Sequence, residues 1–233
     1  MSVKSNIGVV TDGLVFYVDA GNDLSYPGSG TTLSDLVGGN DGAFSATPTT
    51  DPTNGGSIVF DGVDDRVEVF NSTSLQTDGH MSINIWLKGN STQNGGEYCG
   101  IFAKSPGGNF GDWACCGDVG NNYFRFGFNS TNNQNRTYQV PTSYGADLKN
   151  PVWINFQATY DMTRLKIYRN SVLVVDEPQT EAPSTETSSV YLGYRGYGSY
   201  FSGQIAVASL YKGKALSASE VLQNYNALKN RFV

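Results

Sequence analysis

Short segments that alternate between apolar and polar residues constrain the fold of this 233-residue chain more than any other feature. The clearest of these segments is 81–88, and 152–160 alternates in the same way. Alternation with a period of two places the apolar side chains on one face of a β-strand. About eleven to thirteen strands can be placed along the chain, with turn residues between them. This spacing predicts an all-β fold built as an antiparallel β-sandwich.

The low charge of the chain excludes several other classes of protein. Only 15% of the residues are charged and the net charge is −6, whereas an average domain has about 25% charged residues. No stripe of Lys and Arg is present to bind phosphates, so nucleic acid is not an expected partner. Ala, Leu, Glu and Lys are too sparse for a helix bundle. No apolar run approaches the roughly 18–20 residues that span a bilayer, so a membrane is not an expected partner either.

The organisation of the chain is simple, since no linker or change of composition divides it. We therefore expect residues 1–233 to form a single domain. The first residues contain no apolar leader, and we expect assembly in a cytoplasm. The cysteines are Cys99, Cys115 and Cys116, an odd number with an adjacent pair. We expect them to be reduced and partly buried thiols.

A single helix is predicted near the C-terminal end, over residues 217–228. Ser217 and Glu220 have the spacing of a capping box, in which each side chain accepts a backbone N–H at the start of the helix. An apolar stripe that can pack on the sandwich is formed by Leu216, Val221, Tyr225 and Leu228.

Several segments of the chain occur in an order that is typical of one family. They are FDGVDDRV at 60–67, MSINIWL at 81–87, the strand at 153–160 followed by LKIYRN at 165–170, FSGQIA at 201–206 and the segment 210–221. From 13 to 232 the chain resembles a laminin-G-like domain of the concanavalin A-like lectin/glucanase superfamily. The resemblance implies a jelly roll of two antiparallel sheets, one convex and one concave. We therefore predict an all-β fold: an antiparallel β-sandwich (concanavalin A-like jelly roll) with one short C-terminal helix.

The segment 19–36 is similar to a form of this domain that is common in virion proteins of tailed bacteriophages and marine viruses. This resemblance implies a non-catalytic virion structural protein, either a capsid decoration (cement) protein or a tail or fibre module. Its partners would be other virion proteins, such as the major capsid protein or tail proteins, or further copies of the same chain. Its location would be the virion, assembled in the host cytoplasm. The low charge fits such an assembly, because neighbouring copies repel each other less.

Two other functions stay open at this point. The first is a carbohydrate-binding adhesin of viral or bacterial origin that recognises cell-surface glycans. The second is a glycoside hydrolase, which needs two carboxylates that flank the scissile bond. Glucanases of the superfamily carry a Glu-x-Asp-x-x-Glu run, and this sequence has none. Since Glu177, Glu181 and Glu186 lie in a segment rich in Pro, Thr and Ser, we expect solvated turn charges there and no catalytic residue.

The candidate contact residues lie in two places. The first is the tyrosine- and glycine-rich run 191–200, which contains Tyr194, Arg195, Tyr197 and Tyr200. Tyrosine supplies a stiff amphipathic surface at a small entropy cost, and it suits either a sugar or a protein partner. The second is a predicted hairpin around 117–122, with Trp113, Asn121 and Asn122. The alternative at both places is that the aromatic residues belong to the core or to an ordinary loop.

We expect no obligatory cofactor, and calcium is the one candidate ion. Relatives in the superfamily often hold calcium at the rim of the sandwich, through oxygen ligands as a hard cation requires. The candidate ligands are Asp112 and Asp118 in one loop region and Asp61 and Asp64 in another. The alternative is that these residues form Asx turns, in which the side chain accepts a nearby backbone N–H.

Overall fold

The computed structural model describes residues 8–77, 79–93, 97–105, 110–132, 134–141 and 148–233. In this part of the chain, two antiparallel eight-stranded sheets face each other, and a short α-helix lies near the C-terminal end. The predicted all-β antiparallel sandwich is confirmed. The assignment of residues 1–233 to a single domain stays a prediction.

The first sheet contains both segments that alternate most clearly in the sequence. In sheet order its strands are β14 (Val172–Pro178), β13 (Arg164–Arg169), β12 (Trp153–Tyr160), β7 (Met81–Gly89), β16 (Ser202–Lys212), β5 (Ser57–Asp61) and β4 (Thr49–Asp51), and β1 (Leu14–Asp19) also pairs with β16. The strand β5 pairs with the first half of β16, and β1 pairs with its second half. The long strand β16 therefore holds two separate parts of the chain along one edge.

The second sheet contains the predicted hairpin. In sheet order its strands are β11 (Asn135–Gln139), β10 (Tyr123–Asn129), β9 (Trp113–Asp118), β8 (Tyr98–Lys104), β15 (Val190–Leu192), β6 (Val67–Val69), β3 (Gly42–Phe44) and β2 (Thr32–Leu33). The hairpin is confirmed, since β9 and β10 pair in antiparallel register from Asp118 and Tyr123 onward. The three cysteines are buried and free of disulfides.

Aromatic side chains from both sheets fill the core between them. Phe102 from the second sheet lies 6.1 Å from Phe16 of the first and 4.8 Å from Trp113 beside it, between ring centroids. Phe124 faces Phe156 across the interface at 6.3 Å. Burying one such side chain stabilises the fold by about 1.5–3 kcal/mol.

The helix α1 (Ala218–Leu228) covers the outer face of the first sheet. Its capping box is present as predicted, with Ser217 as the N-cap. Trp86, on the outer face of β7, stacks on Tyr225 at 5.5 Å and on Phe232 at 4.5 Å. This packing explains why β7 differs from its prediction. The alternation in 81–88 predicts a half-buried strand. The structure buries both faces of β7, because the C-terminal segment packs on the face that alternation assigns to solvent.

The described part of the chain has no helix with the length and apolar character needed to cross a membrane. The outer face of the second sheet is only partly covered: Ala103, Ala114 and Cys116 are buried there, whereas Tyr98, Tyr123 and Arg125 are partly exposed.

Candidate ligand-binding surface

The tyrosine- and glycine-rich loop folds back over the outer face of the second sheet. Gly193 starts the loop with φ +78°, a backbone conformation that glycine adopts without strain. The backbone N–H of Gly100 in β8 donates to the carbonyl of Ser199 at 2.9 Å. A Cβ at Gly100 would lie 2.4 Å from the backbone nitrogen of Arg195. Only a residue without a side chain allows the loop to lie this close to the strand.

Two of the predicted contact residues form an aromatic cluster in this loop. The rings of Tyr194 and Tyr200 lie 4.7 Å apart, and Tyr191 packs edge-on against Tyr194 at 5.3 Å. The guanidinium group of Arg66 lies 5.6 Å from the Tyr194 ring. Tyr197, in the same loop, is 82% exposed.

Arg195 points away from the tyrosine cluster and is buried, with 6% of its surface exposed. Its Cζ lies 5.6 Å from the ring of Tyr98 and 5.5 Å from the ring of Phe110. The Cζ of Arg125, from β10, lies 3.8 Å and 5.1 Å from the same two rings. We call the surface formed by Tyr98, Phe110, Asp118, Tyr123, Arg125 and Arg195 the arginine–tyrosine patch.

Cross-strand pairing explains why these side chains share one face. Asp118 is the direct partner of Tyr98 on one side and of Tyr123 on the other. Directly paired residues of an antiparallel sheet project to the same side. On this outer face the patch runs across three adjacent strands and ends at the loop that carries Arg195.

The predicted residue Asn121 borders the patch. The Oδ1 atom of Asp118 accepts hydrogen bonds from the Asn121 backbone N–H at 2.9 Å and from its side-chain amide at 3.1 Å. Burial would raise the pKa of Asp118, but these bonds, Tyr123 and the charge of Arg125 together lower it below its usual value. The other predicted residue, Asn122, uses its Oδ1 atom to accept the backbone N–H of Lys149 at 2.7 Å.

The structure corrects the prediction that Trp113 offers a contact surface. Trp113 has no exposed surface and belongs to the core between the sheets, with Cys115 on the same face of β9. Ala114 and Cys116 lie on the opposite face. The sequence predicts that Trp113 and Cys115 share a face, which is confirmed, but that face points inward.

The candidate calcium ligands Asp112 and Asp118 are not brought together. They lie at opposite ends of β9, six residues and roughly 20 Å apart. Asp112 is instead fully buried, with its Oδ2 atom 3.3 Å from the Nζ atom of Lys104. Burial raises the pKa of Asp112 to about 6 and lowers the pKa of Lys104. This pair explains Asp112 without an ion.

The other calcium candidates, Asp61 and Asp64, do come together with Asp65, and their carboxylate oxygens lie within 4.8 Å of one another. The Oδ1 atom of Asp61 accepts the backbone N–H of Val63 at 2.8 Å, and Oδ2 of Asp65 accepts the N–H of Asp61 at 3.1 Å. Partial burial and the charges of its two neighbours raise the pKa of Asp65. These bonds form the Asx turn that the sequence offers as the alternative, and calcium at this turn stays a prediction.

Most of the arginine–tyrosine patch is not predicted from the sequence, although the alternation in β10 indicates part of it. In β10 the residues alternate, and Phe124 and Phe126 point into the core. Tyr123 and Arg125 must therefore face outward. The approach of Phe110 and Tyr98 to Arg195 depends on how the loop folds, and no local pattern encodes it.

A family model described as the concanavalin A-like lectin/glucanases superfamily, of the laminin G type, matches residues 61–222. This match covers more than half of the chain, and the chain therefore belongs to that family. A search of curated proteins finds no match to the sequence.

Solved structures share the fold at low sequence identity. The binding domain of Paraclostridial Mosquitocidal Protein 1 superposes with a TM-score of 0.67 and 13% identity, over 92% of this chain and 52% of that one. The ligand-binding domain of botulinum neurotoxin serotype D, in complex with N-acetylneuraminic acid, gives 0.68 and 12%, over 92% and 51%. Domain 4 of AbnA, a GH43 arabinanase from Geobacillus stearothermophilus in complex with arabinotriose, gives 0.59 and 19%, over 91% and 98%. The chain spans about half the length of the two toxin domains.

Proposed function

We propose that this protein is a non-catalytic carbohydrate-binding module that uses the arginine–tyrosine patch. The observation that carries the proposal is that aromatic, acidic, amide and guanidinium side chains lie together in the patch. Partly exposed rings of Tyr98 and Tyr123 lie beside Asp118, Arg125 and the exposed Asn121. Aromatic faces bind the apolar face of a sugar ring, while amide, carboxylate and guanidinium groups bind its hydroxyl groups.

The sugar complexes of the fold relatives support this proposal. One of those proteins binds arabinotriose and another binds N-acetylneuraminic acid. At 19% and 12% identity these likenesses extend to the fold alone, so the assignment of a sugar site to this chain is our inference from the residues of the patch.

The lowered pKa of Asp118 argues against a role as the general acid of a glycosidase. The general acid of a glycosidase has a raised pKa, so that it carries a proton at neutral pH. The pKa of Asp118 is lowered by its hydrogen bonds and by Arg125. A carboxylate held in this state accepts hydrogen bonds from a sugar and does not protonate a leaving group.

The test is a glycan array followed by titration calorimetry with the best ligand. Tyr98→Ala removes the ring at the centre of the patch, and we expect it to weaken binding about tenfold, as the loss of one aromatic contact does. Phe70→Ala is the matched control, because Phe70 is also an exposed ring (69%) but follows β6. Absence of glycan binding would refute the proposal, as would equal losses in both variants.

The virion role is a second proposal, and it has its own experiment. It is supported by the resemblance of segment 19–36 to virion proteins, and it is compatible with glycan binding in host attachment. In this proposal the chain docks on a capsid or tail protein and exposes the patch. Co-sedimentation of the purified chain with phage particles would support it, and a chain that never co-sediments would argue against it.

A further inference from the structure

Arg195 carries a buried charge that the described residues do not satisfy. It is 94% buried, and its Nε and Nη1 atoms have no hydrogen-bond partner. Guanidinium groups keep their proton inside proteins. Buried polar groups in folded proteins nearly always have a partner, and an unpaired charge is costly. An acceptor for this group is therefore expected from beyond the described residues, and a bound anion would supply it.

A second guanidinium group adds to the same positive charge. Arg125 is half-buried and lies on the rings of Tyr98 and Phe110, as Arg195 does. Its Nε atom donates to the sulfur of Cys116 at 3.2 Å, and sulfur is a weak acceptor. Among the described residues, neither guanidinium group forms a salt bridge with a carboxylate.

The carboxylate of the arginine–tyrosine patch is already engaged. Asp118 accepts two hydrogen bonds from Asn121 and one from Tyr123. Its charge acts on Arg125, but the Nε and Nη1 atoms of Arg195 still have no acceptor. Two guanidinium groups thus lie against the same two aromatic rings. A single bound anion could accept hydrogen bonds from both.

We propose that Arg125 and Arg195 bind an oxyanion, a carboxylate or a sulfate, of an acidic sugar. This inference deepens the proposed function and rests on it. Guanidinium groups bind such oxyanions through paired N–H donors. Arg125 is partly exposed and meets the ligand first, while Arg195 is buried beside the same two rings. Tyr98 and Tyr123 then contact the sugar ring that carries the anionic group.

The first test uses a matched pair of ligands and the unmodified protein. An oligogalacturonate is compared with the same oligosaccharide after its carboxyl groups are reduced to alcohols. A heparin-derived oligosaccharide, compared before and after removal of its sulfate groups, distinguishes sulfate from carboxylate. We expect calorimetry to show about 10- to 100-fold tighter binding of at least one acidic ligand than of the neutral one. Equal or tighter binding of the neutral ligand would overturn this inference and leave the proposed function standing. Binding of no glycan would overturn both.

The second test assigns the effect to the two arginines. Arg195→Met keeps a long apolar side chain against Tyr98 and Phe110, and Arg125→Gln is the alternative if that variant does not fold. We expect either one to abolish the preference for the acidic ligand, measured as the ratio of the dissociation constants of the neutral and the acidic ligand. A preference that survives in both variants would place the anion elsewhere and refute the assignment.

Discussion

The buried ion pair between Lys104 and Asp112 offers the sharpest prediction about stability. Both side chains are fully buried. Besides its contact with Asp112, the Lys104 ammonium group donates three hydrogen bonds, to Asn71 Oδ1 at 2.9 Å and to the carbonyls of Glu186 and Ser188 at 2.7 Å each. This one group joins β8 to the start of β9 and to the segment before β15.

Lys104→Met removes the charge and all of these donors but keeps the length of the side chain. Asp112 then remains as a buried carboxylate without its counter-charge, and we expect a loss of about 3–5 kcal/mol in the free energy of unfolding. Asp112→Leu leaves the backbone N–H of Glu186, now bonded to Asp112 Oδ1 at 2.6 Å, without an acceptor. The unpaired N–H lowers the free energy of unfolding by about 1–3 kcal/mol, in addition to the effect of breaking the ion pair.

Urea denaturation of both single variants and the double variant tests this reasoning. Once either partner is gone, removing the other relieves an unpaired charge, so the double variant should lose at least about 1 kcal/mol less than the sum of the single losses. The control is Arg164→Met in the exposed pair of Arg164 and Asp176, where we expect about 0–1 kcal/mol. Additive losses, or a Lys104→Met variant as stable as the control, would refute the account of this pair.

Three further predictions concern pH and the C-terminal segment. Because burial raises the pKa of Asp112 to about 6, the folded state holds a proton that the unfolded state releases near pH 4. The stability from this group is complete below about pH 4 and is lost as the pH rises through 6. Melting temperatures measured from pH 4 to 7 should therefore fall less with pH in Asp112→Asn than in the unmodified protein. Ser217→Ala removes the helix cap and should cost about 0.5–2 kcal/mol in chemical denaturation. Arg231 donates to both carboxylate oxygens of Asp19, at 3.0 and 2.8 Å, and Arg231→Ala should speed limited proteolysis at the C-terminal end, whereas unchanged cleavage would contradict a tethering role.

The sequence predicts the regular elements of the fold well, since they depend on local patterns. The alternation in 81–88 and 152–160 identifies two central strands of the first sheet, and Ser217 with Glu220 identifies the start of the helix. Period two also pairs Trp113 with Cys115 on one face of β9. It cannot say which face is covered, and so the burial of Trp113 was not predictable from this segment alone.

The candidate site was harder to predict because its parts meet through distant contacts. Arg195 is far along the chain from Tyr98 and Arg125, and it reaches them only because the loop crosses β8 at Gly100. The sequence places Tyr194 and Arg195 next to each other as surface residues. In the structure Tyr194 packs in a cluster of rings, whereas Arg195 is buried. The buried arginine is the reason why we infer an anion site there, and the sequence does not indicate it.

The most direct test of a sugar site on the arginine–tyrosine patch is a titration of isotope-labelled protein with oligogalacturonate, followed by NMR. We predict that the backbone signals of Tyr98 and Tyr123 and the side-chain Nε–H signals of Arg125 and Arg195 shift together as the ligand is added. Shifts confined to another surface, such as the turn around Asp61, would contradict the account, as would the absence of any shift with this ligand and with the glycans selected on the array.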